Sequence, residues 1–203
     1  KVEKTKKGLS FGVLPVVGYN SDIGFQYGGI VNLFQYGDGS FYPDYKYSIY
    51  TEISRTTKGS GINQIFFDSK HLLPHHIRIT ADFSYLTELA LNFYGFNGYD
   101  AVYTADWEND NNPLYKSRMF YRYQRKFTRF SLDLQGRLAS HHLLWLGGVG
   151  YLNTKVETVD INKLNKGKKE DDILPDTSLL YDEYIDWGLI NKNEKNGGKT
   201  PCL

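Results

Sequence analysis

The sequence predicts an all-β fold, an antiparallel meander of about eight strands. Three observations carry that prediction. Apolar and polar residues alternate with period two over long runs. Clusters of Gly, Pro, Asn, Asp and Ser separate the runs. The 203 residues include 17 Tyr, 12 Phe and 20 Gly, a balance typical of β-rich chains. No window carries a comparable apolar stripe at i, i+3, i+4, i+7.

The first run is "LSFGVLPVVGY", residues 9–19. Gly12 and Pro15 fall inside it and would weaken ladder pairing, so this strand is expected at an edge or seam. "NSD" at 20–22 turns the chain into "IGFQYGGIVNLFQY", which "GDGSFYPD" at 37–44 ends. The third run, "YKYSIYTEIS" at 45–54, sets Tyr45, Tyr47, Ile49 and Ile53 against Lys46, Ser48, Glu52 and Ser54. "TTKGSG" links it to "INQIFFDS", and "LLPHH" leads into the fifth run. That run, "HIRITADFSY" at 76–85, places Ile77, Ile79, Ala81, Phe83 and Tyr85 opposite His76, Arg78, Thr80, Asp82 and Ser84. A long loop over 92–114 follows.

Beyond the loop the phase slips. Met119, Tyr121 and Tyr123 are odd-numbered, whereas Phe130, Leu132 and Leu134 are even. The slip predicts a tight turn near Lys126–Thr128; a bulge in one very long strand would produce the same shift. "RFSLDLQGRL" at 129–138 and "HLLWLGGVGYLNTKVE" at 142–157 continue the meander. Residues 160–182, with "KLNKGKKEDD" at their centre, predict a solvated polar loop. A ninth strand is expected to start at "YIDWGLI", residues 184–190. The turn-like "NKNEKNGGKTPCL" is an unnatural end for a sheet, so residues 1–203 are expected to be one partial barrel within a longer chain.

Alternation does not say which face is outside. Runs near ten residues match the 9–11 or so that a tilted strand needs to cross a bilayer; strands in soluble proteins average about 5–6. The polar faces are rich in Ser, Thr, Gln and Gly, as a wet lumen would be. Aromatics gather near strand ends, at Tyr19, Tyr36, Tyr42, Tyr45, Tyr85, Tyr115 and Tyr151. Short turns alternate with longer loops. These features favour a transmembrane outer-membrane barrel, with apolar residues outward. The alternative is a soluble β-barrel or sandwich whose apolar faces enclose a core or an apolar ligand.

Several function classes find no support. Net charge is +1, so a strongly basic nucleic-acid footprint is absent. No run of 18 apolar residues offers a membrane-spanning helix, and "KVEKTKKGLS" lacks the apolar core of a secretory signal. The single cysteine, Cys202, excludes an intramolecular disulfide. His75–His76 and His141–His142 are adjacent pairs, which point to opposite faces of a strand and do not chelate. His71 has no clustered Cys or Glu, so no zinc site is expected. "DWENDNN" spaces Asp106, Glu108 and Asp110 like a calcium loop, but Asn111 and Ser117 stand where such a loop needs Gly and Glu. No nucleophile elbow, P-loop or dinucleotide fingerprint occurs. Neither catalysis nor a cofactor is expected of this segment.

Three stretches resemble the barrel of the bacterial surface antigen family, the superfamily that includes BamA and TamA. "FGVLPVVGYNSDIGFQYGG" at 11–29 resembles the family's first hairpin. "FYGFNG" at 93–98 resembles a Tyr-Gly-Asn-type signature that opens an external loop; its residues are Tyr94, Gly95, Asn97 and Gly98. "WGLINKNEKNGG" at 187–198 resembles a mid-barrel strand and its turn, but Asn191, Asn193 and Glu194 replace the usual acids and Arg. The resemblance covers the first half of a barrel of about sixteen strands. It implies a Gram-negative outer-membrane location, contact with outer-membrane lipid, and a role in assembling or translocating polypeptides with periplasmic assembly factors. It places Gly12 and Pro15 on the seam strand. Some members carry a patatin-like lipase, which would make this barrel a membrane anchor.

Overall fold

The computed structural model describes residues 5–96, 102–138 and 143–203. The alternating runs form one antiparallel sheet of eight strands in chain order. They are β1 (Leu9–Asn20), β2 (Gly24–Gln35), β3 (Tyr47–Thr56), β4 (Gly61–Ser69), β5 (Arg78–Asn92), β6 (Arg122–Arg137), β7 (Leu144–Glu157) and β8 (Gly197–Cys202). β1 pairs with β2 alone and β8 with β7 alone, so the sheet is open.

The register gathers most of the exposed apolar side chains on one face, with Leu14 and Leu146 among the exceptions on the other. Phe11 lies opposite Leu33, Ile53 opposite Gly29, Phe83 opposite Ile65 and Phe130, and Tyr151 opposite Phe130. Leu9, Phe11, Val13, Val17, Tyr19, Phe25, Tyr27, Ile53, Ile65, Phe83, Phe130, Val149 and Tyr151 all lie on this face and are all exposed. Tyr19 reaches 77% exposure and Phe11 70%. The other face carries Ser54, Thr56, Asp68, Asp82 and Ser84, all buried; Ser84 is 2% exposed. Among the described residues no second sheet covers either face. The polar residues therefore shield one another because the sheet curls toward them. Gly28 shows how tight that curl is: a Cβ there would lie 2.3 Å from the Ile53 carbonyl oxygen.

The expected turn at 126–128 does not form. β6 runs unbroken for 16 residues. β6 keeps one phase throughout, so Tyr123 lies on the polar side with Arg125 and Arg129, where it packs on Phe93 and Tyr181, and Phe130 lies on the other face. A separate irregularity lies on the partner strand, where the β5–β6 register shifts between Glu88 and Leu91. Three steps along β5 there match two along β6, so β5 carries an extra residue, a bulge. Up to Glu88 the even residues of β5 face the polar side; past the bulge the odd ones do. Leu89 is accordingly buried.

The ninth strand is also absent from its expected place. Residues Leu180–Asp186 form a helix, α2, and Trp187 caps it. β8 begins ten residues later than Trp187, at Gly197. Of the nine expected strands, the division at 126–128 and the strand at 184–190 are not formed and β8 at 197–202 is added, so eight remain.

Residues 160–182 are not a solvated loop. Asp160 caps the short helix α1 (Ile161–Asn165), its carboxylate accepting the Lys163 N–H at 2.9 Å. The Asn165 side chain then closes the following turn, donating to the Leu174 carbonyl at 2.9 Å and accepting the Leu174 N–H at 2.8 Å. Ile161, Leu164, Leu174 and Leu179 bury themselves with Leu89, Met119 and Val159. A second cluster joins Phe120, Tyr121 and Leu180. Leu180 N–H donates to the Phe120 carbonyl at 3.0 Å, tying the β5–β6 and β7–β8 loops into one cap at a single end of the sheet.

Candidate functional site

The polar face is built from charged pairs that alternation alone places in register. The Asp68 carboxylate accepts from Arg78 Nε at 2.6 Å, Arg78 Nη2 at 3.1 Å and the Tyr45 hydroxyl at 2.7 Å. Asp82 accepts from Arg129 Nε at 2.9 Å, the Ser84 hydroxyl at 2.7 Å and Gln64 Nε2 at 2.8 Å. Arg125 Nε meets Glu88 Oε2 at 2.7 Å. Each buried carboxylate is thus satisfied by neighbouring strands, as burial of a charge requires. Tyr45, on the loop before β3, is held above its ordinary pKa by burial and by its bond to Asp68. Sequence reasoning did not single out this network. Its signal is the Asp and Arg at alternate positions in "RITADFSY" and "RFSLDLQGR".

The apolar face has a charged border at the capped end. On β6 and β7 it passes from Phe130 and Tyr151 to Lys126, Lys155 and Glu157. Glu157 lies 2.9 Å from Lys155 Nζ and 3.8 Å from Lys126 Nζ. Of the aromatics read as an outer girdle, Tyr19, Tyr85 and Tyr151 lie on this face. Tyr36 is buried against Phe34 and Tyr42, and Tyr45 bonds Asp68 on the opposite face. The girdle is therefore smaller than the sequence suggested.

Gly12 and Pro15 occupy the edge strand β1, opposite Asn32 and Gly29. Tyr94 and Gly95 lie four strands away, where β5 enters the cap. Tyr94 packs edge-on to Tyr103 at 5.7 Å and tilts against Tyr121 at 5.5 Å. Gly95 has φ +95°, and a Cβ there would lie 2.1 Å from the Tyr184 hydroxyl oxygen. Both conditions require glycine. Tyr94 and Gly95 serve cap packing and are not brought near the edge strand. Asn97 and Gly98 lie outside the described residues.

The acids of "DWENDNN" do not converge. Glu108 faces Arg122 at 3.3 Å and accepts the Tyr103 hydroxyl at 3.0 Å, while Asp110 pairs with Arg118 at 3.0 Å. His71 stacks on Phe41 at 4.2 Å between ring centroids. His141 and His142 lie outside the described residues. Among the described residues no group of three His, Cys, Asp or Glu side chains is placed to hold a metal ion. The strand of the third resembling stretch is not formed, since Trp187 and Gly188 close α2.

Comparison with protein-family models, with curated proteins and with solved structures finds no match to this chain.

Proposed function

We propose that this sheet is part of an outer-membrane β-barrel of the bacterial surface antigen type, which assembles or translocates polypeptides. One observation carries the membrane reading: the apolar face is the exposed one, and the polar face is buried and ion-paired. Water favours the opposite arrangement, whereas lipid favours this one. From Phe11 to Tyr19 the apolar face of β1 extends about 26 Å at the usual strand rise. That is the scale of the roughly 25 Å apolar band of outer-membrane barrels. A soluble barrel around an apolar ligand needs these residues lining a cavity, and they lie instead on the exposed face.

The transport part of the proposal rests on β1. Its 12 residues have one sheet neighbour, so one row of backbone groups is available to an incoming strand by β-augmentation. Pro15 removes one donor from that ladder. A partner strand would be held less firmly there and released more readily.

Two measurements test this. Carbonate washing of native membranes is expected to leave the full-length protein in the outer-membrane fraction until detergent is added. Release by carbonate overturns the membrane reading. In a Cys202→Ser background, a cysteine at Gly12 is expected to cross-link to a stalled outer-membrane precursor, and one at mid-sheet Ile65 is not. Equal capture at both positions removes the edge-strand role.

A further inference from the structure

A cavity of about 830 Å³ opens where the cap meets the rim of the apolar face. Four chain segments wall it: the β1–β2 turn, the β3–β4 turn, the end of the β5–β6 loop, and α1 with the turn after it. Six cations line it, Lys58, Arg118, Lys163, Lys166, Lys168 and Lys169, against the single lining carboxylate of Asp172.

Two of the cations are structural. Lys168 Nζ lies 2.6 Å from Asp22 Oδ1 and its side chain is 7% exposed. Arg118 bridges Asp22 at 3.3 Å and Asp110 at 3.0 Å, and donates to the Asp172 carbonyl at 3.2 Å. They anchor the lysine-bearing turn to the β1–β2 turn. Lys58 donates to the Lys166 carbonyl and holds the same turn from the other side. Among the described residues Lys163, Lys166 and Lys169 have no carboxylate partner within salt-bridge distance. Lys163 on α1 and Lys166 and Lys169 on the braced turn after it thus outnumber the one lining carboxylate, Asp172. Tyr19 and Phe25, a directly paired couple on the exposed face, supply the aromatic part of the lining.

We propose that this cavity binds the phosphorylated headgroup of a membrane lipid, with its acyl chains lying on Tyr19, Phe25 and the face below them. This rests on the membrane reading above. The cations supply charge-assisted hydrogen bonds to phosphate oxygens, and the two rings sit where a headgroup would meet acyl chain. The volume exceeds that of one phosphate and suits a sugar-phosphate headgroup. The shared chemistry is the anionic oxygens of a phosphoryl group, so a free phosphate compound is the competing source.

The test uses the full-length purified protein in detergent. Its probes are lipid A, the same lipid after dephosphorylation, and inorganic pyrophosphate. Binding of lipid A is expected to weaken at least about tenfold on dephosphorylation, and similarly in a Lys163→Gln/Lys166→Gln/Lys169→Gln variant, the loss expected when charge-assisted contacts go. A Lys192→Gln/Lys199→Gln variant controls for net charge and is expected to bind as wild type. Unchanged cross-strand disulfide trapping between β1 and β2 verifies that the triple variant is folded. Equal affinity for the dephosphorylated lipid, or no loss in the triple variant, overturns the site. Pyrophosphate binding as tightly as lipid A overturns the lipid assignment and leaves a free-phosphate site. The carbonate wash decides the membrane reading separately: retention with no phosphate dependence sinks only the cavity, and release sinks both.

Discussion

The sheet and its cap follow opposite rules. In the strands, large apolar side chains are outside and serines and aspartates are buried. In the cap, Phe120 is 0% and Leu164 1% exposed, while Lys169, Glu170 and Asp171 face solvent. One chain thus carries two opposite burial patterns. The cap is an ordinary aqueous core of about a dozen side chains held by area burial. The strands are arranged as though water were on the polar side alone. The boundary passes through the β5 bulge and the Lys126–Glu157–Lys155 border.

The largest test of that contrast is in the cap. Phe120→Ala is expected to cost about 3–5 kcal/mol, as for other fully buried aromatics. Limited proteolysis of the full-length protein would show it as early cutting in 158–196 with the strands still protected. Loss of strand protection at the same time would mean that cap and sheet are one cooperative unit. Next comes the outer face. Phe83→Arg is expected to cost about 2–4 kcal/mol in a bilayer, the price of a cation at mid-depth. A soluble fold would accept it at this exposed position with little change. Denaturant titration in lipid vesicles distinguishes the two.

A smaller effect is expected on the polar face. Asp82→Asn weakens three bonds but leaves a half-exposed Arg129 able to find water, so a loss of about 1–3 kcal/mol is expected. A double-mutant cycle with Arg129→Gln measures the coupling, and a coupling near zero would remove the network from the account of stability. The gentlest test is alkaline. Burial pushes the Tyr181 hydroxyl above its ordinary pKa of 10.0, and the charges of Tyr123 and Asp182 add to the shift. The neutral phenol donates to the Lys195 carbonyl at 2.5 Å. A raised pKa stabilises the fold fully below the unfolded value and loses that contribution as pH rises through the folded one. The cap is therefore expected to loosen above pH 10, as read by tyrosinate absorbance and protease sensitivity. Tyr181→Phe is expected to reduce that pH dependence, the remainder belonging to Tyr123 and Tyr103, whose pKa values are also raised.

Much of the sheet was legible because its signal is local. Each of β1 to β5 and β7 declares itself by alternation between turn residues, and Pro15 lies on the terminal strand β1. The cap was illegible because its contacts are not periodic. Phe93 meets Tyr123 and Tyr181 from three separate segments. α2 is two turns long, too short for a 3.6-residue stripe to outweigh the β-like look of "YIDWGLI". "KLNKGKKEDD" read as solvated charge, and only Asp160 before Ile161 and the isolated Leu174 hinted at a packed segment. The change of alternation at Tyr123 was read as a break in the backbone, but β6 is continuous and only the face that is buried changes. Tyr123 is covered by Phe93 and Tyr181, contacts from distant segments that alternation along one strand does not reveal.

The bulge in β5 has a consequence of its own. It works as a phase shifter. One additional residue rotates the rest of the strand by half a turn, so Leu89, Leu91 and Phe93 enter the cap rather than join the outer band. The amino acids on either side need not change character for this to happen; only the count does. Deleting Ala90 would restore two-for-two pairing, keep Leu91 and Phe93 on the cap side, and turn Leu89 to the outside. The cap would lose Leu89 from its buried cluster while the strand on either side kept its pairing. At this boundary, the number of residues constrains the protein more tightly than their identity.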